Sequence, residues 1–306
     1  MPRGKSTKSL PAADARERHS RRTLLLLLAP SAMVTVVIAL VPMLLLARMS
    51  LSEVSRFGRS GGPAGLENFV RLAADPLLPA IALRTGIWTA SVVALTILVA
   101  LPTALVLNQR FVWRGLAQFL VLAPWAISVT SMAVVWRRVL SDEAGLLNRL
   151  AVAVGAIDRP IPWLGSVPAS FGFEIMIAVL VSVPFSTVIF LAGLSSIPAD
   201  IYDAARLDGA GARDRLRRLT LPLLRPFIWV VLIFNVAYVT NSFPIIWILT
   251  QGGPANSTDI LVTYLYKLAF TFGRLDEAAA LSVVMLGGLG ALTVLMLRML
   301  ERPAHA

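Results

Sequence analysis

Six stretches of this 306-residue chain contain no Asp, Glu, Lys or Arg: residues 23–47, 85–109, 115–136, 175–199, 226–258 and 278–297. A helix rising 1.5 Å per residue needs roughly 20 apolar residues to cross a hydrocarbon core of about 30 Å. All six stretches are long enough. A bilayer core offers no water to a bare peptide group, so each must close its own hydrogen bonds as a helix. The predicted helices run over about 24–47, 86–108, 116–137, 173–194, 227–250 and 278–298. The expected fold class is therefore an all-α polytopic membrane protein with six transmembrane helices. Composition agrees: 57% of residues are hydrophobic and 15% charged, against about 25% charged in soluble domains.

The first stretch follows Arg16, Arg18, Arg21 and Arg22, as a secretion signal would. Its apolar run exceeds the 7–15 residues of a signal core and lacks a small-x-small exit, so it reads as a retained span. Six spans put both termini on one side. With the N-terminus inside, 17 of the 28 Lys and Arg fall in the 73 inner residues and 11 in the 99 outer ones. That asymmetry predicts cytoplasmic termini. It also gives the net charge of +11 a topological cause, so nucleic acid is not an expected partner.

Several chemistries are excluded. There is no Cys, and the two His, His19 and His305, lie in polar tails. Thiolate and buried imidazole metal sites are thus not expected. No HExxH pattern occurs, and no carboxylates cluster. Gly4-Lys5-Ser6 resembles the end of a phosphate loop, but the chain starts too late to supply its first glycine. No ionisable side chain is expected in the middle of a span, which disfavours proton-coupled carriage. Sodium coupling through carbonyls stays open.

Uncharged polar residues do enter the spans. The fifth holds Asn235, Tyr238, Thr240, Asn241, Ser242 and Trp247. Asn235, Tyr238 and Ser242 fall at i, i+3 and i+7, on one helix face. Amides and hydroxyls can pair with a polyhydroxy solute, and a ring can stack on the apolar face of a sugar. Helix–helix hydrogen bonding is the plainer alternative. Pro184, beside Ser182 and Phe185, marks an irregular place in the fourth span: a mid-helix proline frees a carbonyl and kinks the helix.

Between spans four and five lies SSIPADIYDAARLDGAGARDRLRRLTLPLLRP, residues 195–226. Ser196 is a candidate helix cap and Pro198 suits a first turn. Ile197, Ile201, Ala204, Ala205 and Asp208 share a small-residue face. Gly209 and Gly211 accept the conformation that ends a helix. Such a face fits close approach by a partner, or a linker lying on lipid.

This segment resembles the EAA loop of bacterial ABC-importer permeases: Asp203-Ala204-Ala205, then Gly209-Ala210, then Leu219-Thr220-Leu221-Pro222. Asp203 replaces the usual Glu. The resemblance covers nearly the whole chain and is greatest to carbohydrate-uptake permeases of the maltose and glycerol-3-phosphate type. Gly65-Leu66-Glu67-Asn68-Phe69, Pro124-Trp125, Trp136-Arg137, Gly145-Leu146-Leu147-Asn148 and Ala192-Gly193-Leu194 carry it. So does Leu249-Thr250-Gln251-Gly252-Gly253-Pro254, which is similar to the maltose-subunit-F-like member of the permease pair.

The resemblance implies a type I ABC-importer permease fold in a bacterial inner membrane. It implies a heterodimer with a homologous permease, two ATPase subunits that bind the ATP and Mg, an extracytoplasmic solute-binding protein and surrounding lipid. This chain itself would hold no cofactor and catalyse nothing. Residues 1–22 and 301–306 would be cytoplasmic tails, 23–300 the permease domain and 195–225 the coupling loop. Asp203, Ala204, Ala205, Asp208 and Gly209 would engage the ATPase. Ser182, Phe185, Asn235, Tyr238, Val239 and Ser242 would meet the solute, although an amide is expected where Val239 stands. The solute would be a neutral di- or oligosaccharide, with glycerol-3-phosphate or a phosphodiester as the alternative, and an ion-coupled secondary sugar carrier as a more distant one.

Overall fold

The computed structural model describes the backbone of residues 11–301 and the side chains of 27–300 apart from Ser60. Gly4-Lys5-Ser6 and His305 lie outside the described residues, and the side chain of His19 does too. The chain opens with a 40-residue helix, α1 (Pro11–Ser50), which therefore includes much of the basic segment expected as a tail. A small antiparallel hairpin follows, β1 (Ser52–Val54) with β2 (Ser60–Pro63), pairing Ser52 with Pro63 and Glu53 with Gly62. Then come α2 (Glu67–Ala73), α3 (Leu78–Leu107), α4 (Arg114–Leu122), α5 (Val129–Val139) and α6 (Leu146–Ala153). The remainder is α7 (Val167–Ser195), α8 (Ala199–Leu207), α9 (Ala212–Arg215), α10 (Leu221–Thr240), α11 (Phe243–Leu249), α12 (Leu261–Tyr266) and α13 (Leu275–Glu301).

Among the described residues five helices are long and apolar enough to cross a membrane, and α4 with α5 supplies a sixth span if the bent pair is counted as one. Prolines open α3, α7 and α10, in the first turn where the missing N–H costs no bond. The packed centre is α3 lying along α7, with α10 against both. Trp88, Val92, Ile177, Ala178, Val239 and Ile246 interlock in one part of it. Ala100, Ala104, Phe190, Leu194, Leu224 and Val231 interlock in another. Gly193 permits that second contact, because a Cβ there would sit 2.7 Å from both Leu224 and Phe227. By contrast α1 rests on α13 and leaves Met33 and Ile38 each 70% exposed. In a bilayer that exposure faces acyl chains and costs nothing.

The structure corrects three features expected from the sequence. The third span is not one helix: α4 ends in a 3-10 turn over Ala123–Ala126, and α5 leaves at 95° to it. Pro124 removes a donor there, and Ser128 restarts the helix by accepting from the amide of Ser131 at 3.3 Å. The fifth span breaks at Asn241–Ser242, between α10 and α11. The fourth begins at Val167 rather than 173, so Glu174 lies two turns into α7, fully buried, near the end of the helix rather than its middle.

Candidate functional site

A cavity of about 360 Å³ opens where the α4–α5 corner meets the middles of α7 and α10. The corner supplies Pro124, Trp125 and Ser128; α7 supplies Val181, Ser182 and Phe185; α10 supplies Phe234, Asn235 and Tyr238. Each contribution has a local cause. The break at Pro124 swings Trp125 and Ser128 inward, where a straight helix would carry them past. Ser182 and Phe185 stand one turn apart on α7. Phe234 and Tyr238 stand one turn apart on α10, at i and i+4. The rings form a row: Trp125 meets Phe185 edge-on with centroids 6.2 Å apart, and Phe185 meets Phe234 at 5.9 Å. No charged side chain lines the cavity.

The polar groups in this wall differ in how far they are committed. Asn235 donates one amide hydrogen to Ser186 Oγ at 3.0 Å and one to the carbonyl of Val231 at 2.8 Å. Its nitrogen thus ties α10 to α7, the plainer role considered for it, and only its oxygen is left to face the cavity. Ser182 Oγ is buried and takes no partner among the described residues. It is a free hydroxyl with a full hydrogen-bonding capacity to offer.

Of the six residues singled out for the solute, Ser182, Phe185, Asn235 and Tyr238 lie around this cavity, whereas Val239 and Ser242 do not. Val239 is 1% exposed and packed in the core, and its carbonyl accepts the indole hydrogen of Trp88 at 3.0 Å. Ser242 is buried at the head of α11. The i, i+7 relation to Asn235 assumed an unbroken helix, and the helix ends at Thr240. Trp125, Ser128 and Phe234 were not singled out for the site. Phe234 was legible at Tyr238's i−4 position; Ser128 and Trp125 depend on the corner.

At the end of the bundle where α7 finishes, the chain turns into α8. Ser196 caps the end of α7, donating to the Gly193 carbonyl at 2.7 Å, rather than the start of α8, where Pro198 stands. Asp203 pairs with Arg206 one turn on at 3.0 Å, with both side chains more than half exposed. Ala204 and Asp208 are exposed, and Leu207 is 90% exposed. Ala205 is half-buried. Gly209 closes the helix at φ +79°, with open space around it, so backbone handedness and not crowding requires glycine there. Arg215 then reaches back to the Ala210 carbonyl at 2.6 Å, and Tyr202 meets the Thr220 hydroxyl at 3.1 Å. The Tyr202 contact ties α8 to the turn just before α10, and the Arg215 bond ties α9 to the turn that follows α8.

The opposite end is built by polar nodes on the motif residues. Buried Asn68 donates to the carbonyls of Ser50 and Ser52 at 2.9 and 3.0 Å, folding the hairpin onto α2. Asn148 donates to the carbonyls of Asp142 and Ile161 and accepts from the Ile161 amide and the Trp163 indole, all within 3.0 Å. Thr250 donates to Glu174 at 2.7 Å, joining α11 to α7. Next to it Lys267 meets fully buried Asp259 at 2.6 Å and Asn256 at 2.8 Å, while Thr263 donates to the other Asp259 oxygen at 2.9 Å.

This geometry has counterparts among known proteins. The profile of the family described as "Binding-protein-dependent transport system inner membrane component" matches residues 93–304. A probable ABC transporter permease protein of Brucella suis biovar 1 (strain 1330) is 44% identical over 276 residues, covering 90% of this chain and 96% of that one. The trehalose/maltose transport system permease protein MalF of Thermococcus litoralis is 39% identical over 186 residues, 60% of this chain and 61% of that one. The sulfoquinovosyl glycerol transport system permease protein SmoG of Agrobacterium fabrum is 31% identical over 279 residues, 90% and 89%. Among solved structures, a chain of a bacterial ABC transporter that imports the acidic polysaccharide alginate superposes with a TM-score of 0.80. That match covers 94% of this chain and 98% of that one at 22% identity, so it speaks for the fold.

Proposed function

Since this chain belongs to the family of binding-protein-dependent transport system inner membrane components, an ABC-importer permease of the sugar-transporter type, we propose that it passes a neutral di- or oligosaccharide into the cytoplasm. The observation that carries this is the cavity: four aromatic rings, an unpaired hydroxyl and an amide oxygen, with no charge. An anionic solute in a low-dielectric site needs an opposite charge or a dense set of donors. A sugar needs flat apolar plates and a few hydrogen-bonding atoms. Trp125, Phe185, Phe234 and Tyr238 are the plates, and Ser182, Ser128 and Asn235 supply the polar contacts. Phosphate esters are disfavoured on the same ground, and the SmoG relative, named for a sulfonated glycoside, marks the competing anionic class.

In this reading the termini and the 195–225 loop are cytoplasmic and the 250–260 loop is outer. A homologous permease completes the path, and a binding protein delivers the solute on the outer side. Two ATPase subunits hold the ATP and Mg, and one of them grips α8 through Ala204, Ala205, Leu207 and Asp208. Asp203 acts indirectly, its pair with Arg206 stiffening α8, and the Tyr202–Thr220 contact passes the movement to α10, which lines the cavity.

The test is uptake by the complete, co-purified transporter in proteoliposomes, with the solute found by screening its binding protein. Tyr238→Ala or Phe185→Ala should lower uptake at least tenfold while all chains still co-purify. Asn235→Ala should lower it less, since that amide nitrogen is already engaged. Unchanged uptake in both aromatic variants overturns the site, and a screen that returns only anionic solutes overturns the substrate class.

A further inference from the structure

A second row of rings lies outside the cavity. Phe243 and Trp247 on α11 stack with centroids 5.3 Å apart at 20°. Tyr266, ending α12, touches both, at 5.0 and 4.6 Å. Phe270, in the π turn over Lys267–Thr271, continues the row at 4.8 Å from Tyr266 and is 69% exposed. This is not core packing. The core side of α11 is Ile245, Ile246 and Leu249, each at most 4% exposed, while Phe243, Trp247 and Tyr266 are only partly covered. The row also has a position that matters. Only the break at Asn241–Ser242 separates Phe243 from Tyr238 in the cavity wall, and Phe270 lies at the other end of the row from Phe243.

We infer that Phe243, Trp247, Tyr266 and Phe270 form a stacking track for sugar rings between the outer face and the membrane cavity. The inference rests on the neutral-saccharide reading of that cavity. Stacked apolar faces hold a pyranose weakly at many equivalent places, so a solute can advance from ring to ring without a deep trap. The four rings carry no charge to arrest a neutral solute.

The absence of cysteine makes a direct test possible. The single substitutions Trp247→Cys and Tyr266→Cys, with Phe185→Cys as the control, are introduced into the whole transporter in right-side-out vesicles. Each is exposed to a membrane-impermeant thiosulfonate. The track predicts labelling of both Trp247→Cys and Tyr266→Cys, at least tenfold faster after trapping with ATP and vanadate. No labelling of either in either state, while the Phe185→Cys control reacts, places the rings against lipid or a neighbouring chain and overturns the inference alone. Equal labelling in both states makes them open surface and does the same. If the Phe185→Cys control is also silent in both states, the cavity reading falls, and the track with it. A second measurement separates stacking from mere lining, using uptake of labelled maltose, trehalose and maltotriose. Trp247→Phe should keep wild-type uptake and Trp247→Leu should lose at least fivefold. Equal uptake in the two variants overturns the track, and a binding-protein screen that returns only anionic solutes removes it together with the neutral-saccharide reading.

Discussion

Replacing Lys267 by Met should unfold the outer end of the bundle. Its ammonium is 2.6 Å from Asp259 and 2.8 Å from Asn256, and Asp259 is fully buried. Without the cation, that carboxylate keeps the Thr263 hydroxyl as its side-chain donor. Removing one partner of a buried pair costs about 3–5 kcal/mol, mostly for the stranded charge. Each 1.36 kcal/mol is tenfold, so the folded population relative to the opened one falls by roughly two to four orders of magnitude. The neighbouring backbone cannot close in to compensate. Gly252 stands so near that a Cβ there would lie 1.9 Å from Asp259 Oδ1. Lys267→Met with Asp259→Leu removes both charges and should recover much of the loss, because no unpaired charge is left. The assay is a thermal scan of tryptophan fluorescence on the purified complex in detergent, with size exclusion to report aggregation. A Lys267→Met complex that melts with the wild type would refute the argument. So would a double variant less stable than the single one.

Other perturbations probe different parts of the chain. Gly193→Ala should destabilise the α7–α10 contact by about 1–3 kcal/mol through overpacking, seen as a lower melting temperature and reduced assembly, since Leu224 and Phe227 already occupy the space. Gly209→Asp should abolish uptake while the chain still inserts, since an L-residue resists φ +79° by about 1–2 kcal/mol and re-aims the start of α9; normal transport by that variant removes the coupling role. Asn148→Ala strands four polar contacts, each worth about 1 kcal/mol, and should make the 141–163 segment cleavable by trypsin added to right-side-out vesicles.

The legible part of this protein was what lipid dictates. Charge-free blocks must become helices, because no other backbone state satisfies its own polar groups there. Glycine at 209 and the proline at the head of α10 act on the backbone itself, so their positions could be read directly. The short helix of the 195–225 loop and its glycine stop were legible because they are set by local spacing. The cavity was half legible: Asn235 and Tyr238 follow from residue type and helical period, Ser182 and Phe185 from the family resemblance around Pro184, while Trp125 and Ser128 do not. Whether Pro124 merely kinks a span or turns it by 95° depends on what α5 finds to pack against.

The chain's order of apolar blocks and breakers thus determined on its own which stretches become long apolar helices and where the short helix after α7 ends. These are one-dimensional consequences of solvation and backbone geometry. Only the tertiary structure decided that Val239 turns into the core, that Asn235 spends its amide on Ser186, and that Glu174 is sheltered by Thr250. Each outcome depends on which neighbour arrives across another helix, and a buried polar group takes the partner that packing brings to it.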